Sequence, residues 1–198
     1  MKRNLFVLVL LMFVLAMAVA APKSSGELSM GEWKKNVYTN DFLGIKYRLP
    51  EGWTRYGDAE MAEIMQLGTE LISDNQKYLA ELAKLNLVYY MLVNNPATGD
   101  NIVVLTEKSA LDYTVDYYID AVKAQLQNVD ALKYEFSATS KEKIAGVEYN
   151  ALVATASTGN ISMTQKYYAR KMGKYFVSII ASSRSGEAAI NDMMKAFE

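Results

Sequence analysis

The stretch that decides the fold runs from Phe42 to Trp53 and reads Phe-Leu-Gly-Ile-Lys-Tyr-Arg-Leu-Pro-Glu-Gly-Trp. Its centre alternates between apolar and cationic side chains: Ile45, Tyr47 and Leu49 against Lys46 and Arg48. Successive side chains of a strand point to opposite faces, so this alternation predicts a strand with one buried and one solvent-facing side.

The strand is predicted to end at Leu49. Pro50 has no N–H to give to a ladder, and Gly52 permits a turn conformation. Trp53 follows this turn, and we expect its indole to be buried in the core. An earlier strand over Trp33–Tyr38 would fold back onto this one as a hairpin, because Thr-Asn-Asp between them is typical of a turn.

Composition excludes several chemistries. The chain has 198 residues, 51% of them hydrophobic and 22% charged, which suits one globular domain. It has no cysteine and no histidine, which excludes disulfides, thiolate sites and every Ser-His or Cys-His arrangement. We therefore expect no metal site and no cofactor. The net charge is −1 with no basic block, so nucleic acid is not an expected partner.

Residues 1–20 have the features of a secretory signal peptide: a Lys2-Arg3 start, an apolar run and a small-x-small site at Ala18–Ala20. Cleavage is expected after Ala20, which makes the protein secreted, periplasmic or cell-surface. The alternative is an uncleaved segment, which would be its sole membrane attachment. Residues 21–32 are predicted to be a flexible lead-in, because they are rich in Pro, Ser and Gly.

Two amphipathic helices are predicted in the middle of the chain. The first covers Asp58–Leu85, where Met61 and Met65 either line a ligand groove or, as is more usual for thioethers, fill irregular core. The second follows Ser109–Asp112, which resembles a capping box with Asp in its last place. Its apolar stripe has spacings of four, three, four and three: Val115, Ile119, Val122, Leu126 and Val129.

Strands and turns fill most of the remaining chain. Leu87–Val93 and Ile102–Leu105 are predicted to form a hairpin, four strands follow between residues 133 and 181, and a closing helix carries Ile190, Met193, Met194 and Phe197. Short turns between strands imply a mainly antiparallel sheet, and amphipathic helices must cover it. The predicted fold is α+β, a central sheet sandwiched by helices in one domain over residues 33–198.

Several of these residues resemble a known family. The pattern Tyr-x-Asn-x-x-x-Gly-Ile-x-Tyr-x-x-Pro-x-x-Trp, from Tyr38 to Trp53, resembles the opening of the PsbP-like and Mog-like fold. Gly-Val-Glu-Tyr at Gly146–Tyr149, Gln-Lys-Tyr-Tyr at Gln165–Tyr168 and Gly-Lys-Tyr-Phe at Gly173–Phe176, before a C-terminal helix, resemble its finish. The resemblance implies a PsbP-like α/β/α sandwich, in agreement with the order of elements.

The resemblance also implies a binding or assembly role. Members of this fold serve as an extrinsic photosystem subunit, a Ran-binding factor, and bacterial exported proteins or secretion accessories. The histidine-dependent metal binding of the plant branch has no counterpart in a chain without histidine. Because the matching motifs are structural and a fold alone does not assign function, no functional residue is carried over.

Three other features of the sequence are candidate sites. Asp112, Asp116 and Asp120 lie four residues apart on one predicted helix face, but a calcium ion needs more ligands than one face supplies, so a solvated acidic face is expected. The 14 tyrosines are either recognition residues or ordinary strand composition. Pairs of carboxylates among 22 acidic residues carry almost no signal for a glycosidase.

The sequence thus favours an exported, non-catalytic binding or accessory module with an unknown protein or envelope partner. A carboxylate-dependent hydrolase of an extracellular polymer is the alternative. The candidate recognition surface is the long loop between the two central strands, because loops on a rigid sheet are common binding sites. Its candidate partner-binding residues are Asn94, Asn95, Thr98, Asp100 and Asn101.

Overall fold

The computed structural model describes residues 29–63, 87–109, 111–129 and 132–198. The predicted signal peptide, Met65 and most of the predicted helix over Asp58–Leu85 lie outside the described residues. Its first turns, residues 58–63, are helical. Two further helices are α1 (Val115–Gln127) and α2 (Glu187–Met193), and a 3₁₀ turn at Met194–Ala196 follows α2.

The described residues form two antiparallel sheets. The small sheet has the order β1-β2-β3, and its strands are β1 (Glu32–Lys34), β2 (Val37–Asn40) and β3 (Ile45–Arg48). The large sheet has the order β4-β5-β6-β11-β10-β9-β7, and β8 also pairs with β9. Its strands are β4 (Thr54–Arg55), β5 (Leu87–Asn94), β6 (Asn101–Lys108), β7 (Lys133–Phe136), β8 (Ser140–Ile144), β9 (Val147–Thr158), β10 (Ile161–Met172) and β11 (Tyr175–Ser183).

One side of the large sheet, the helix face, packs against α1. The stripe of α1 buries Ile119, Val122 and Leu126, as its spacing predicts, and Tyr118 joins them. The ring of Tyr118 stacks on Phe176 of β11 with centroids 4.4 Å apart. The helix face therefore combines an aliphatic stripe with stacked aromatic rings.

The helix face also contains a buried carboxyl. Glu107 of β6 is 4% exposed and accepts a hydrogen bond from the Tyr118 hydroxyl, while its Oε2 atom has no hydrogen-bond partner among the described residues. Burial raises the pKa of Glu107 to about 8, although the hydrogen bond from Tyr118 lowers it. This carboxyl is therefore held mostly protonated at neutral pH.

The opposite side, the hairpin face, packs against the small sheet and α2. The alternation predicted for β3 is confirmed, because Ile45 and Tyr47 are buried while Lys46 and Arg48 are exposed. Phe197 forms a β-bridge with Tyr47, and the two rings lie 4.9 Å apart between centroids. The small sheet, which was not predicted as a separate layer, thus shares with α2 the cover expected from helices alone.

Charged side chains of β10 link the large sheet to the elements that cover its hairpin face. The Lys166 ammonium, on a side chain that is 2% exposed, lies 2.7 Å from Glu187 of α2 and 2.9 Å from Glu142 of β8. Burial lowers the pKa of Lys166, but the hydrogen bonds to Glu187 and Glu142 outweigh it and leave the pKa raised. Arg170 donates to the Leu43 carbonyl at 2.6 Å and so ties the loop before β3 to the large sheet.

Three local predictions are wrong. Trp33–Tyr38 is not one strand, because Lys35 adopts a positive φ of 54° and turns the chain between β1 and β2. Ser109–Asp112 does not cap α1; Thr114 does, since its side chain accepts from the Tyr117 N–H at 3.2 Å. The last third has five strands rather than four, because the chain leaves the ladder after Phe136 and begins β8 at Ser140.

Two further expectations at turns and in the core have different outcomes. The Pro-Glu-Gly turn is confirmed, with a hydrogen bond of 3.2 Å from the Trp53 N–H to the Pro50 carbonyl and a positive φ of 79° at Gly52. The expectation that Trp53 is buried core is wrong, because its side chain is only half-buried and packs at the margin of the hairpin face. The residue directly precedes the short β4.

Candidate functional site

A cleft of about 490 Å³ lies where the small sheet meets the edge of the large sheet. Its walls come from residues around β1 on one side and from β4 and the helical residues 58–63 on the other. Its volume falls in the range of small-ligand sites, about 300–1,000 Å³. The strand order explains its position, because β1 and β4 are the terminal strands of their sheets.

An indole and a guanidinium form the wall of the cleft. Trp33 of β1 is half-buried and packs against Tyr38 with ring centroids 5.3 Å apart. The guanidinium carbon of Arg55 lies 5.2 Å from the centroid of the Trp33 ring, a cation–π contact that crosses from one sheet to the other. Arg55 is exposed, and it forms no ion pair with a carboxylate among the described residues.

Buried aromatic and thioether side chains line the deeper part of the cleft. They are Tyr38, Met61, Tyr90 and Met91, each less than one-tenth exposed. The Tyr38 hydroxyl donates to the Met30 carbonyl at 2.8 Å, and burial raises the pKa of Tyr38 to about 12. Gly31 is required at the rim, because a Cβ there would lie 2.7 Å from this hydroxyl and its φ is +72°. These packed side chains close the deep end of a cleft whose lining is mixed, partly polar and partly apolar.

Two carboxylates also line the cleft, and both are exposed. The Glu32 carboxylate lies 2.6 Å from the Lys34 ammonium, which neutralises it. Asp58 is the first residue of the helical segment 58–63, where a negative charge is favoured by the helix dipole. Neither acid has the buried environment that makes a carboxyl a proton donor at neutral pH.

The loop that the sequence singled out does not line the cleft. Its polar groups hold the turn between β5 and β6: Asn95 Oδ1 accepts from Ala97 N–H at 3.0 Å, Thr98 Oγ1 from Asp100 N–H at 3.2 Å, and Asn101 Nδ2 donates to Gly99 O at 3.2 Å. Asn94 accepts from Thr54 of β4, which places the loop beside the cleft. Asp100 and Asn101 are buried, whereas Thr98 is exposed. A binding role for this loop stays a prediction.

The acidic row is not a single helix face. Asp112 precedes α1 and pairs with Lys171, Asp116 accepts from Asn150 at 2.6 Å, and Asp120 lies 3.4 Å from Lys123. In the described ranges, no group of three acidic side chains is placed to hold a metal ion.

Most of the paired tyrosines are buried rather than exposed. Both members of Tyr89-Tyr90 and of Tyr167-Tyr168 are core residues, because both faces of the large sheet are covered. In the helical pair, Tyr118 is 1% exposed and Tyr117 is 49% exposed. The two strand pairs therefore fit ordinary strand composition rather than a recognition surface.

Of the cleft residues, sequence reasoning found only Met61, which it offered as a groove residue or as core. Trp33 and Arg55 were missed because they lie 22 positions apart and meet only when two sheet edges converge. Only two local features could have indicated the cleft. Trp33 lies in a short edge strand and Arg55 in a two-residue strand, and neither position is that of a core residue. Across the described part of the chain, no helix is long and apolar enough to cross a bilayer.

Comparison with solved structures identifies the fold. The chain is similar to the cyanobacterial PsbP (CyanoP) from Synechocystis sp. PCC 6803, with 10% sequence identity and a TM-score of 0.50 over 89% of this chain and 97% of that one. LpqN, involved in cell envelope biogenesis of Mycobacterium tuberculosis, matches at 12% identity and a TM-score of 0.40 over 77% of this chain and 76% of that one. No protein-family model and no curated protein matches the chain. The chain has a PsbP-like α+β fold.

Proposed function

We propose that the chain is an exported, non-catalytic binding module that holds its ligand or partner in the cleft between β1 and β4. The observation that carries the proposal is the Arg55 guanidinium stacked on Trp33 above the buried side chains at the deep end of the cleft. Small-ligand sites combine apolar side chains with a few polar groups that orient the ligand. The binding roles implied by the family resemblance point the same way.

The alternative, a carboxylate-dependent hydrolase, has weaker support. It needs a carboxyl whose pKa is raised and which also reaches the substrate. Glu107 has the raised pKa but is 4% exposed under α1, and Glu32 and Asp58 reach the cleft but are exposed. Among the described residues, the carboxyl with the raised pKa therefore does not reach the cleft, and the carboxylates that reach the cleft are exposed to solvent.

Export is the second part of the proposal. It rests on the Lys2-Arg3 start, the apolar run behind it and the Ala18–Ala20 site, all of which lie outside the described residues. N-terminal sequencing of the protein from its host is expected to begin at Ala21. A mature protein that keeps Met1 and sediments with membranes would contradict cleavage.

The binding proposal is tested with tryptophan emission. The chain has two tryptophans, so Trp53→Phe leaves Trp33 as the sole tryptophan and its emission as a reporter of the cleft. Addition of fractionated host envelope extract is expected to shift this emission saturably, and Arg55→Gln to weaken the response. Lys143→Gln, an exposed change on β8, is the matched control.

The same preparations are then tested for turnover of glycan and peptide substrates. We expect none. Turnover that is abolished by a single Asp-to-Asn or Glu-to-Gln change would contradict the proposal and establish the hydrolase.

A further inference from the structure

We propose that the cleft receives an extended peptide strand that carries one acidic side chain and lies between the edges of the two sheets. This inference rests on the proposed binding function and names the class of ligand. It starts from topology: β1 ends the small sheet and β4 ends the large sheet, and both line the cleft. Two sheet edges that share one cleft are a place where a further strand can be added.

The backbone of β4 has hydrogen-bonding groups left for such a strand. β4 uses one side to pair with β5, in the register Thr54 with Asn94 and Arg55 with Val93, and the next N–H, of Tyr56, donates to Leu92 O at 3.0 Å. Backbone groups alternate in direction along a strand, so the N–H and C=O of Arg55 point to the other side. No described strand pairs with β4 on that side.

Like β4, β1 is paired with a neighbouring strand on one side only among the described residues. β1 pairs with β2 through Glu32, Trp33 and Lys34, and its other side has no partner strand in the described ranges. At about 3.3 Å per residue, the three residues of β1 span about 10 Å, which four or five ligand residues would cover with a margin at each end. A ligand of four or five residues therefore matches the length of β1.

Charge complementarity selects an acidic side chain. The Arg55 guanidinium has one face on the Trp33 ring, and among the described residues its N–H groups have no carboxylate partner, so they can bind a carboxylate of the ligand. Glu32 is paired with Lys34 at 2.6 Å, and Asp58 is the other acidic residue of the lining. One acidic group on the ligand is matched by Arg55, whereas a second one would be repelled by Asp58.

The residues at the deep end of the cleft favour an apolar side chain next to the acidic residue of the ligand. In an extended ligand, alternate side chains point into the cleft, where Tyr38, Tyr90 and Met91 form a buried apolar surface. Met30, 47% exposed at the rim, and Met61 add flexible thioethers that adapt to different apolar shapes. The ligand is therefore a short strand with one carboxylate and at least one apolar residue.

The test is selection from a randomised pentapeptide library, acetylated and immobilised through its C-terminal amide, on the intact protein after signal removal. Arg55→Gln is used for counter-selection. Enriched peptides are resynthesised in three forms: the parent, the amide in place of the carboxylate, and the parent with N-methyl groups on alternate backbone nitrogens. Binding is followed by Trp33 emission in the Trp53→Phe background.

We expect enrichment of peptides with a single Asp or Glu beside apolar residues, and at least about tenfold weaker binding of both the amide and the N-methyl forms. Arg55→Lys, which keeps the charge but loses the planar fork, should bind between wild type and Arg55→Gln. Equal thermal melting of these variants shows that the changes act on binding rather than folding.

Four results would overturn the inference. Binding that is insensitive to N-methylation excludes strand addition, and enrichment of basic or uncharged peptides excludes recognition by Arg55. Failure to enrich any peptide, while Trp33 emission still responds to envelope extract, excludes a peptide ligand but leaves the binding function intact. Failure of both readouts removes the inference together with the proposed function.

Discussion

The two faces of the large sheet are covered in different ways. The helix face meets α1 and the helical residues 58–63, whose Met61 belongs to the same core, and keeps polar groups inside: the Glu107 carboxyl and the hydroxyls of Tyr118 and Ser178, with the Tyr118 and Ser178 oxygen atoms 3.1 Å apart. The hairpin face meets a small sheet and a short helix, and it contains charged side chains of β10: the buried Lys166, paired with Glu187 and Glu142, and Arg170, which donates to the Leu43 carbonyl. α1 is held to its face by apolar and aromatic contacts, whereas α2 and the loop before β3 are also held to the opposite face by charged side chains of the large sheet.

The largest expected effect tests the dependence of the helix face on α1. Tyr118→Ala removes a buried ring that stacks on Phe176 and should lower the free energy of unfolding by about 3–5 kcal/mol in urea denaturation. Tyr117→Ala is the control, because Tyr117 is adjacent in the sequence but 49% exposed, and this variant should lower the free energy of unfolding by less than about 1 kcal/mol. Similar losses for both variants would mean that α1 is not held by this stripe.

The contribution of the ion pairs on the hairpin face is tested by removing either the Lys166 ammonium or its two carboxylate partners, Glu142 and Glu187. The Glu142→Ala and Glu187→Ala double variant leaves the Lys166 ammonium buried without a carboxylate and should cost about 3 kcal/mol. Lys166→Met removes the buried charge itself and leaves two carboxylates that reach solvent, so it should cost less than about 1.5 kcal/mol. The reverse order would show that Lys166 is not buried in solution.

The carboxyl inside the helix face should make stability depend on pH. Glutamate has a pKa of 4.5 when unperturbed and about 8 in the folded chain. Between these values the folded state holds a proton that the unfolded state has lost, so stability falls as pH rises through this window. Wild type should lose about 1–3 kcal/mol relative to Glu107→Gln between about pH 5 and about pH 8, measured by urea denaturation. Parallel pH curves for the two proteins would contradict the assignment.

The contrast between the faces also explains what the sequence could predict. Alternation in β3 and the stripe of α1 are local patterns, and both placed their residues on the correct side. The small sheet was not foreseen as a layer, because the turn at Lys35 carries no Gly, Pro or Asn at the position of positive φ. Tyrosine pairs gave no face assignment, since both faces are buried and either ring can be core.

The site was harder to predict than the fold, because it is formed by residues of several elements that are distant in the sequence. Polar residues between two strands, Asn94 to Asn101, have the composition of a recognition loop, but much of their hydrogen bonding goes to closing their own turn. The cleft joins Trp33, Arg55 and Tyr90, which are distant in the chain and share no periodicity. A pattern along the sequence reports one element at a time, whereas this cleft exists only between two sheets.

The smallest expected effect lies at the margin of the hairpin face, at Trp53. A fully buried tryptophan costs about 3–5 kcal/mol on replacement by alanine, and the sequence predicted that value. The indole is half-buried, so Trp53→Ala should cost about 1–2 kcal/mol in urea denaturation. Trp53→Phe, which keeps an aromatic ring against the same neighbours, should cost less than about 1 kcal/mol. A loss above about 3 kcal/mol for the alanine variant would mean that the indole belongs to the core, and that the hairpin face extends further toward β4 than the half-burial of this residue indicates.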